Sequence, residues 1–356
     1  MKPTRASCPW FALFALAGGC SSDAGGPSGT SISTPDAGPV DAAHDGQHDA
    51  HGADGADAPD APPFDGPLKL SETGLYASIA TQSLAPGVAE FDVRFPLWTD
   101  GAEKRRYLAL PAGSTIDTTL IDVWQFPVGT KAWKEFTRSG KRVETRLLWK
   151  RADGWLMVAY AWNDAGTEAL AVPEGRADAL GTQHDIPSAA QCRQCHDNVG
   201  DVLIGVSAIQ LSKEGGGGFL ATLMQQGSLS PPVTAEFPVP GDGEVEAALG
   251  YLHGNCGHCH NDESFVGKLR PMRLKLRTDA KTPAETPVYK TAFDADTLHP
   301  TLNTTKVIVP GSPAKSQLYQ RMNVRGLEAM PPLGTEEVDS NAMTTIWKWI
   351  SGLPPQ

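Results

Sequence analysis

Two short runs of residues place thiol and imidazole groups at the same spacing. They are Cys192-Arg193-Gln194-Cys195-His196 and Cys256-Gly257-His258-Cys259-His260. Both read Cys-x-x-Cys-His, the pattern that attaches a c-type haem. Two thiols three positions apart lie on one face of a helical turn and can bond the two vinyl groups of one haem, while the adjoining His ligates the iron. The sequence therefore predicts two covalently attached haem c groups, with His196 and His260 as iron ligands.

Three other uses of paired cysteines are weaker explanations of these runs. A zinc ribbon usually has its two pairs about 15 to 20 residues apart, whereas 60 residues lie between Cys195 and Cys256. A thioredoxin-like dithiol requires a strand-helix-strand context that neither pair has. Two structural disulfides are compatible with an exported protein, but they would not require the His that follows each pair.

A methionine between prolines is the candidate sixth ligand of the second haem iron. Met330 precedes Pro331 and Pro332 and lies 70 positions after His260. A thioether in such a restrained segment can ligate the iron opposite a His, and this combination raises the reduction potential. The alternative is that Met330 only fills the core.

The sixth ligand of the first haem iron is less well specified by the sequence. Met224 follows a run of four glycines, His184 lies just upstream of the first motif, and His253 lies three positions before Cys256. Any of these side chains could ligate the iron, or the position could be open.

The spacing of apolar residues differs between the segment before the two motifs and the segments around the second motif. From about residue 86 to 178, alternating apolar residues and frequent turn residues predict many short strands, which suggests an antiparallel β-sandwich. Residues 244–260 and 336–350 show helical spacing instead, with the second run ended by Gly352 and Pro354. The predicted fold is therefore multi-domain: a β-sandwich-like domain followed by mainly α-helical cytochrome c-type haem domains.

These segments resemble two known groups of proteins. The helix before the second motif, the Met330 loop and the C-terminal helix are similar to the class I cytochrome c fold. A wider stretch, about residues 86–356, resembles uncharacterised exported dihaem c-type cytochromes with a β-rich domain before both haem sites. The segments that carry this wider resemblance are residues 95–104, 124–130, 143–148, 186–188 and 251–256.

The N-terminus predicts export to the cell envelope. Lys2 and Arg5 precede a short apolar run that ends in small residues before Cys20, which is the pattern of a secretory signal and too short to span a bilayer. Residues 16–20 resemble the lipobox of bacterial lipoproteins, with the Leu one position further from the Cys than usual. The resemblance implies that Cys20 carries lipid, and plain cleavage with secretion is the alternative.

Charge and composition divide the chain further. The net charge is −11, but residues 21–67 hold nine Asp and no Lys, Arg or Glu, and residues 68–356 carry only −4. This body has no basic stripe, so nucleic acid is not an expected partner. The predicted divisions are a signal peptide (1–19), a disordered tether (20–67), a β-rich domain (68–180), a first haem segment (181–241) and a class I cytochrome c-like domain (242–356).

Together these features predict a periplasmic dihaem cytochrome, anchored to the membrane by lipid, that carries single electrons between redox proteins. An electron carrier is favoured over an enzyme. The alternatives are a dihaem peroxidase, which requires one iron open to hydrogen peroxide, and a haem-bearing subunit that accepts electrons from a dehydrogenase.

Overall fold

The computed structural model describes residues 64–354. The predicted signal peptide, the lipidation site Cys20 and the predicted tether up to residue 63 lie outside the described residues. The last four residues of that tether are described, and they contact the sheet. Tyr160 donates a hydrogen bond from its hydroxyl to the carbonyl of Pro67 (3.0 Å), and Arg151 forms an ion pair with Asp65 (2.7 Å).

One antiparallel sheet of six strands dominates the described part of the chain, with the strand order β3-β4-β6-β7-β8-β9. The strands of residues 64–354, in chain order, are β1 (Tyr76–Ser78), β2 (Ser83–Leu84), β3 (Val88–Phe91), β4 (Glu103–Ala109), β5 (Ile116–Asp117), β6 (Lys131–Arg138), β7 (Lys141–Arg151), β8 (Gly154–Trp162), β9 (Ala169–Ala171), β10 (Leu229–Ser230), β11 (Asp296–Thr301) and β12 (Thr304–Lys306).

The three long central strands, β6 to β8, follow directly from the sequence. Their residues alternate between the two faces of the sheet, and most of them are buried. Ser139 and Gly140 connect β6 to β7 with positive φ values of 51° and 74°. A two-residue turn of this kind matches the right-handed twist of the paired strands.

The two faces of the sheet are covered by different segments, and within residues 64–354 neither face packs against a second large sheet, because each of the other sheets has only two strands. On one face, Tyr107, Trp133 and Leu147 pack against the N-terminal segment around Leu70 and Leu75. On the other face, strand residues pack against short helices from after residue 180. The predicted β-sandwich is therefore wrong. Strand periodicity identified the strands, but it does not distinguish helices from a second sheet as the partner of a buried face.

The helices within residues 64–354 are α1 (Ala189–His196), α2 (Ala208–Leu211), α3 (Phe219–Gln225), α4 (Gly243–Asn255), α5 (Phe265–Leu269), α6 (Pro287–Ala292), α7 (Gln317–Met322) and α8 (Ser340–Gly352). Helix makes up only 25% of these residues, and only α4 and α8 exceed eight residues. The prediction of mainly helical cytochrome c-type domains is therefore wrong.

The shortness of the other helices has a cause in the sequence. Pro283 and Pro287 begin new helical turns, and Pro313 begins another; a proline is tolerated there but not in a helix interior. α8 begins later than predicted because the Asp339 side chain caps it, accepting a hydrogen bond from Ala342 N (3.0 Å). Within the described residues, no helix is long and apolar enough to cross a bilayer.

α4 and α8 pack against each other in the core of the C-terminal part. This core consists of Leu249 and Leu252 from α4, Ile346 and Ile350 from α8, and residues of the segments between them. Its function is to fix the end of α4, where the second Cys-x-x-Cys-His motif begins.

Candidate functional site

The first motif lies on α1, as its spacing predicts. Ser188 caps this helix: its hydroxyl accepts a hydrogen bond from Gln191 N (3.2 Å), and the Gln191 side chain accepts one from Ser188 N (2.8 Å). Cys192 and Cys195 are free and half-buried on the helix, and His196 is its last residue. The two thiols therefore stand one helical turn apart, with the imidazole immediately after them.

The ring of His196 is oriented by a backbone group. Its Nδ1 lies 2.7 Å from the carbonyl oxygen of Val202. A neutral ring that donates from Nδ1 to a carbonyl leaves Nε2 unprotonated, which is the usual arrangement of a metal-ligating His. Burial lowers the pKa of His196 to about 4, so the ring is neutral near pH 7.

The second motif follows a helix rather than lying on one. α4 ends at Asn255, and Cys256 to His260 form a tight turn in which His260 N donates to the carbonyl of Cys256 (2.9 Å). Gly257 is required in this turn, because a Cβ there would lie 2.6 Å from the carbonyl oxygen of His253. Burial raises the pKa of the Cys256 thiol to about 12, so this group is protonated.

Two imidazoles of the second motif have unpartnered nitrogen atoms. Nδ1 of His258 and Nδ1 of His260 are buried and have no hydrogen-bond partner among residues 64–354. Burial lowers the pKa of His260 to about 4. Buried polar atoms are normally paired, so these rings fit a site that a bound group completes.

The two motifs meet in space. Ligand atoms of Cys195, His258 and Cys259 all lie within 4.8 Å of one another. The segments after the motifs also touch, since the Asn261 side chain donates to the carbonyl of Asn198 (3.1 Å) and Phe265 N donates to the Asn198 side chain (3.0 Å). Any groups bound by the two motifs are therefore neighbours.

The sulfur atoms of the two motifs interact directly. The two thiols lie within 4.8 Å of each other, and this proximity, with the His258 ring, lowers the pKa of Cys195 and raises that of Cys259. His258, Asn198 and Asn261 were not identified from the sequence. No local pattern could have indicated their roles, because these depend on contacts between segments about 60 residues apart.

His184 and His253, two of the predicted sixth ligands, have other partners. His184 is buried, and its Nε2 lies 2.8 Å from a carboxylate oxygen of Glu144. His253 is buried, and its Nδ1 accepts a hydrogen bond from Leu276 N (3.0 Å). Both rings therefore hold the fold together in this structure.

The two methionine candidates lie in different places. Met224 packs against the same large core cluster as Cys192 of the first motif. Met330 is half-buried, and its N–H donates to the carbonyl of Arg321 (2.9 Å). Arg321 lies on α7, so this hydrogen bond ties Met330 to that helix.

Residues 95–98 connect the sheet to α4. Phe95 N donates to the Gln210 side chain (3.0 Å), and Trp98 N donates to the Asn255 side chain (2.6 Å). Gly250 and Gly254 make room for Phe95, because a Cβ at either position would lie 2.5 Å or less from one of its atoms. This contact positions the end of α4 against the sheet. It also explains why glycines recur on this helix.

A mostly apolar recess of about 330 Å³ lies beside this connection. Phe95, Trp98 and Tyr251 line it, together with Lys104. Tyr251 packs against the same core cluster as Cys256. Apolar walls with a few polar groups are the usual surroundings of a bound cofactor.

A comparison of the chain with protein-family models, curated proteins and solved structures found no match. The evidence on function therefore comes from the motifs and their geometry. The features of the two motifs described above fit haem c attachment. The thiols are free, the following imidazoles are neutral, and His196 has its ligating nitrogen available.

Proposed function

We propose that this chain is an exported c-type cytochrome with two covalently attached haems, which carries single electrons between redox proteins of the cell envelope. The observation that supports it best is the pair of complete Cys-x-x-Cys-His motifs, brought side by side by the fold. A bound haem supplies one-electron oxidation and reduction.

Each residue of the two motifs has a role in this proposal. Cys192 and Cys195 hold the first haem, and Cys256 and Cys259 hold the second. His196 and His260 are the proximal iron ligands, and Met330 is the second ligand of the iron bound by His260. The half-buried positions of the four motif cysteines and the buried imidazoles of His258 and His260 limit the access of water to the motifs.

The hydrogen bonds of Glu144, an acidic residue near the first motif, favour an electron carrier over a peroxidase. Glu144 is buried, and its charge acts on Cys192. Both of its oxygens are already used: one lies 2.5 Å from Arg146 Nε, and the other accepts from Arg146 Nη2 and contacts His184. A carboxylate engaged in this way is not free to move protons to and from a peroxide.

The haem count tests the proposal. The full chain is produced in a bacterial host that attaches haem c in its periplasm, and the haems are counted by the pyridine haemochrome spectrum and intact mass. We expect two haems per chain, and one in the double variant Cys192→Ala, Cys195→Ala. The variant Cys256→Ala, Cys259→Ala should also retain one. Wild-type protein without a haem adduct would refute the proposal, and rapid turnover of hydrogen peroxide would favour the peroxidase.

The proposed location is the periplasmic side of the cell envelope, with Cys20 as the lipid anchor. Replacement of Cys20 by Ser should move the full-length protein from the membrane fraction to the soluble fraction, because one lipidated residue is the proposed anchor. Retention of this variant in the membrane fraction would contradict the anchor. It would leave the haem assignment unchanged.

A second candidate function is a metal site formed by Cys195, His258 and Cys259. Two thiolates and an imidazole within 4.8 Å suit Zn²⁺. The two proposals exclude each other at these residues, because haem attachment converts both sulfurs to thioethers. Elemental analysis separates them: one zinc per chain without covalent haem would favour the metal site.

A further inference from the structure

One face of the sheet carries a row of basic side chains next to the first motif. Arg106 on β4 is paired with Lys134 on β6, and Lys134 is paired with Arg146 on β7. Directly paired residues of adjacent strands share a face, with Cβ atoms about 5 Å apart. Arg146 and Lys134 both lie over the ring of Phe136, at 4.4 and 5.0 Å. We call Arg106, Lys134 and Arg146 the basic row.

The basic row has too few counter-charges among residues 64–354. Arg146 pairs with Glu144, which is its only acidic partner there. Arg106 reaches only Asp92, at 3.9 Å, and the Asp92 side chain is 95% exposed. Lys134 has neither a hydrogen bond nor an ion pair within the described residues. Like charges directly opposite each other on a sheet are destabilising, and a bound anion would stabilise this face.

The pKa values of two lysines on this face are lowered, as expected beside other positive charges. Burial, followed by the charges of Arg106 and Arg146, lowers the pKa of Lys134 well below its usual value. Lys104, two residues before Arg106 on the same face of β4, shows the same effect: burial and the charges of Arg106 and Arg146 lower its pKa to about 8. A bound anion would relieve this repulsion and keep both amines charged.

The basic row lies close to the first motif. α1 packs against β8, the strand next to Arg146. The charge of Arg146 acts on Cys192 and Cys195, and the charges of Lys134 and Arg146 act on His196. The Arg106 and Arg146 side chains are only 11% and 21% exposed. The row is therefore largely shielded from bulk solvent on the part of the sheet next to the motif.

We propose that the basic row binds the two propionate carboxylates of the haem attached to Cys192 and Cys195. This inference rests on the proposed function, because it takes that haem as the ligand. Its chemistry matches the row: Arg forms paired hydrogen bonds with a carboxylate, and Lys adds a point charge. The β-rich part of the chain thereby acquires a role at the haem, namely to neutralise and orient its anionic edge.

The test uses the full-length, haem-loaded protein and measures the reduction potential of each haem by spectroelectrochemical titration. Lys134→Gln and Arg106→Gln should each lower the potential of one haem and leave the other unchanged. The physical reason is that reduction adds negative charge, which a nearby cation stabilises. Lys134→Arg, which retains the charge, should restore the potential to near the wild-type value.

Arg105→Gln is the matched control. Arg105 is adjacent to Arg106 on β4 but points to the opposite face, where it is exposed and paired with Glu90 (2.8 Å). This variant loses the same charge and should leave both potentials unchanged. If Lys134→Gln and Arg106→Gln also change neither potential, in proteins that carry two haems, the inference is overturned.

Two further outcomes separate this inference from its alternatives. If the wild-type protein carries no haem, the proposed function fails before the basic row is tested. Inorganic phosphate added to the haem-loaded protein should not change the potential of the first haem, because the row is already occupied by carboxylates. A shift that saturates with phosphate and disappears in Lys134→Gln would show that the row binds a free anion, and it would overturn the inference.

Discussion

At the scale of single residues, the site depends on groups whose protonation the fold controls. His196 is kept neutral by burial and oriented by the carbonyl of Val202. His260 is also neutral and buried. Both rings are therefore in the protonation state that the proposed ligation of iron requires.

Met330→Ala tests the assignment of the sixth ligand. We expect this variant to keep two haems but to lose the weak sulfur-to-iron absorption band of the oxidised protein in the far red. The reduction potential of one haem should fall, because a thioether opposite a His raises it. Met224→Ala is the control, because Met224 is the other methionine that the sequence offers as an iron ligand. A band that persists in Met330→Ala and disappears in Met224→Ala would move the assignment to Met224.

Glu144 predicts a dependence of stability on pH. Burial alone would raise the pKa of Glu144, but Arg146 and His184 outweigh it and lower the pKa overall. A carboxylate with a lowered folded-state pKa stabilises the fold above its unfolded value of 4.5. That contribution is lost as the pH falls through the folded-state pKa.

Glu144→Gln should therefore lower the free energy of unfolding at pH 7 by about 3 kcal/mol, because Arg146 is left without its partner. Glu90→Gln, which breaks the exposed pair with Arg105, should cost less than about 1 kcal/mol. Urea unfolding at pH 7 and pH 4 measures both variants. Equal losses in the two variants at pH 7 would contradict this role of Glu144.

At the scale of elements, the contact between residues 95–98 and α4 positions the second motif. Gly254 lies under Phe95, and a Cβ at Gly254 would be 2.5 Å from the Phe95 carbonyl oxygen. A backbone atom cannot move aside as a side chain can. The end of α4 and the Cys256 turn would therefore shift if this position carried a side chain.

Gly254→Ala should lower the free energy of unfolding by about 1 to 3 kcal/mol, the usual cost of overpacking. It should also reduce attachment of the second haem. Gly352→Ala, near the end of α8, is the control, because a Cβ there has no neighbour within 4 Å. Thermal unfolding and the haem count of both variants provide the measurement. A melting temperature of Gly254→Ala equal to that of Gly352→Ala would show that the contact tolerates a side chain.

At the scale of the whole molecule, the folded body extends slightly beyond the predicted start of the β-rich domain. The described residues 64–354 all belong to one compact unit. Phe64 packs against the core cluster around Leu70, and Pro67 accepts the hydrogen bond from Tyr160. These contacts belong to residues that the composition of the chain assigns to the tether.

Truncation tests where the folded body begins. A chain that starts at Pro62 should keep two haems and melt at the same temperature as the full chain, because it retains all of these contacts. A chain that starts at Leu68 should melt a few degrees lower, since it loses the Phe64 packing and the Asp65 ion pair. Identical melting of the two truncated chains would show that residues 64–67 add no stability.

The sequence alone determined the chemistry of the motifs and the most local elements. The Cys-x-x-Cys-His spacing indicates haem attachment without any knowledge of the fold. Alternation of side chains predicted short strands between about residues 86 and 178, where β3 to β9 lie, and helical spacing predicted the helices before the second motif and at the C-terminus. These properties depend on residues only a few positions apart, so the local sequence is enough to predict them.

Only the tertiary structure decided what these elements pack against. The sandwich and the mainly helical haem domains were wrong because periodicity shows that a face is buried, not what covers it. The meeting of Cys195 with Cys259 depends on contacts between segments about 60 residues apart. The basic row depends on the register of three strands, which places Arg106, Lys134 and Arg146 side by side. Strand register and long-range packing result from the combined burial of many side chains, and no single segment of the sequence contains them.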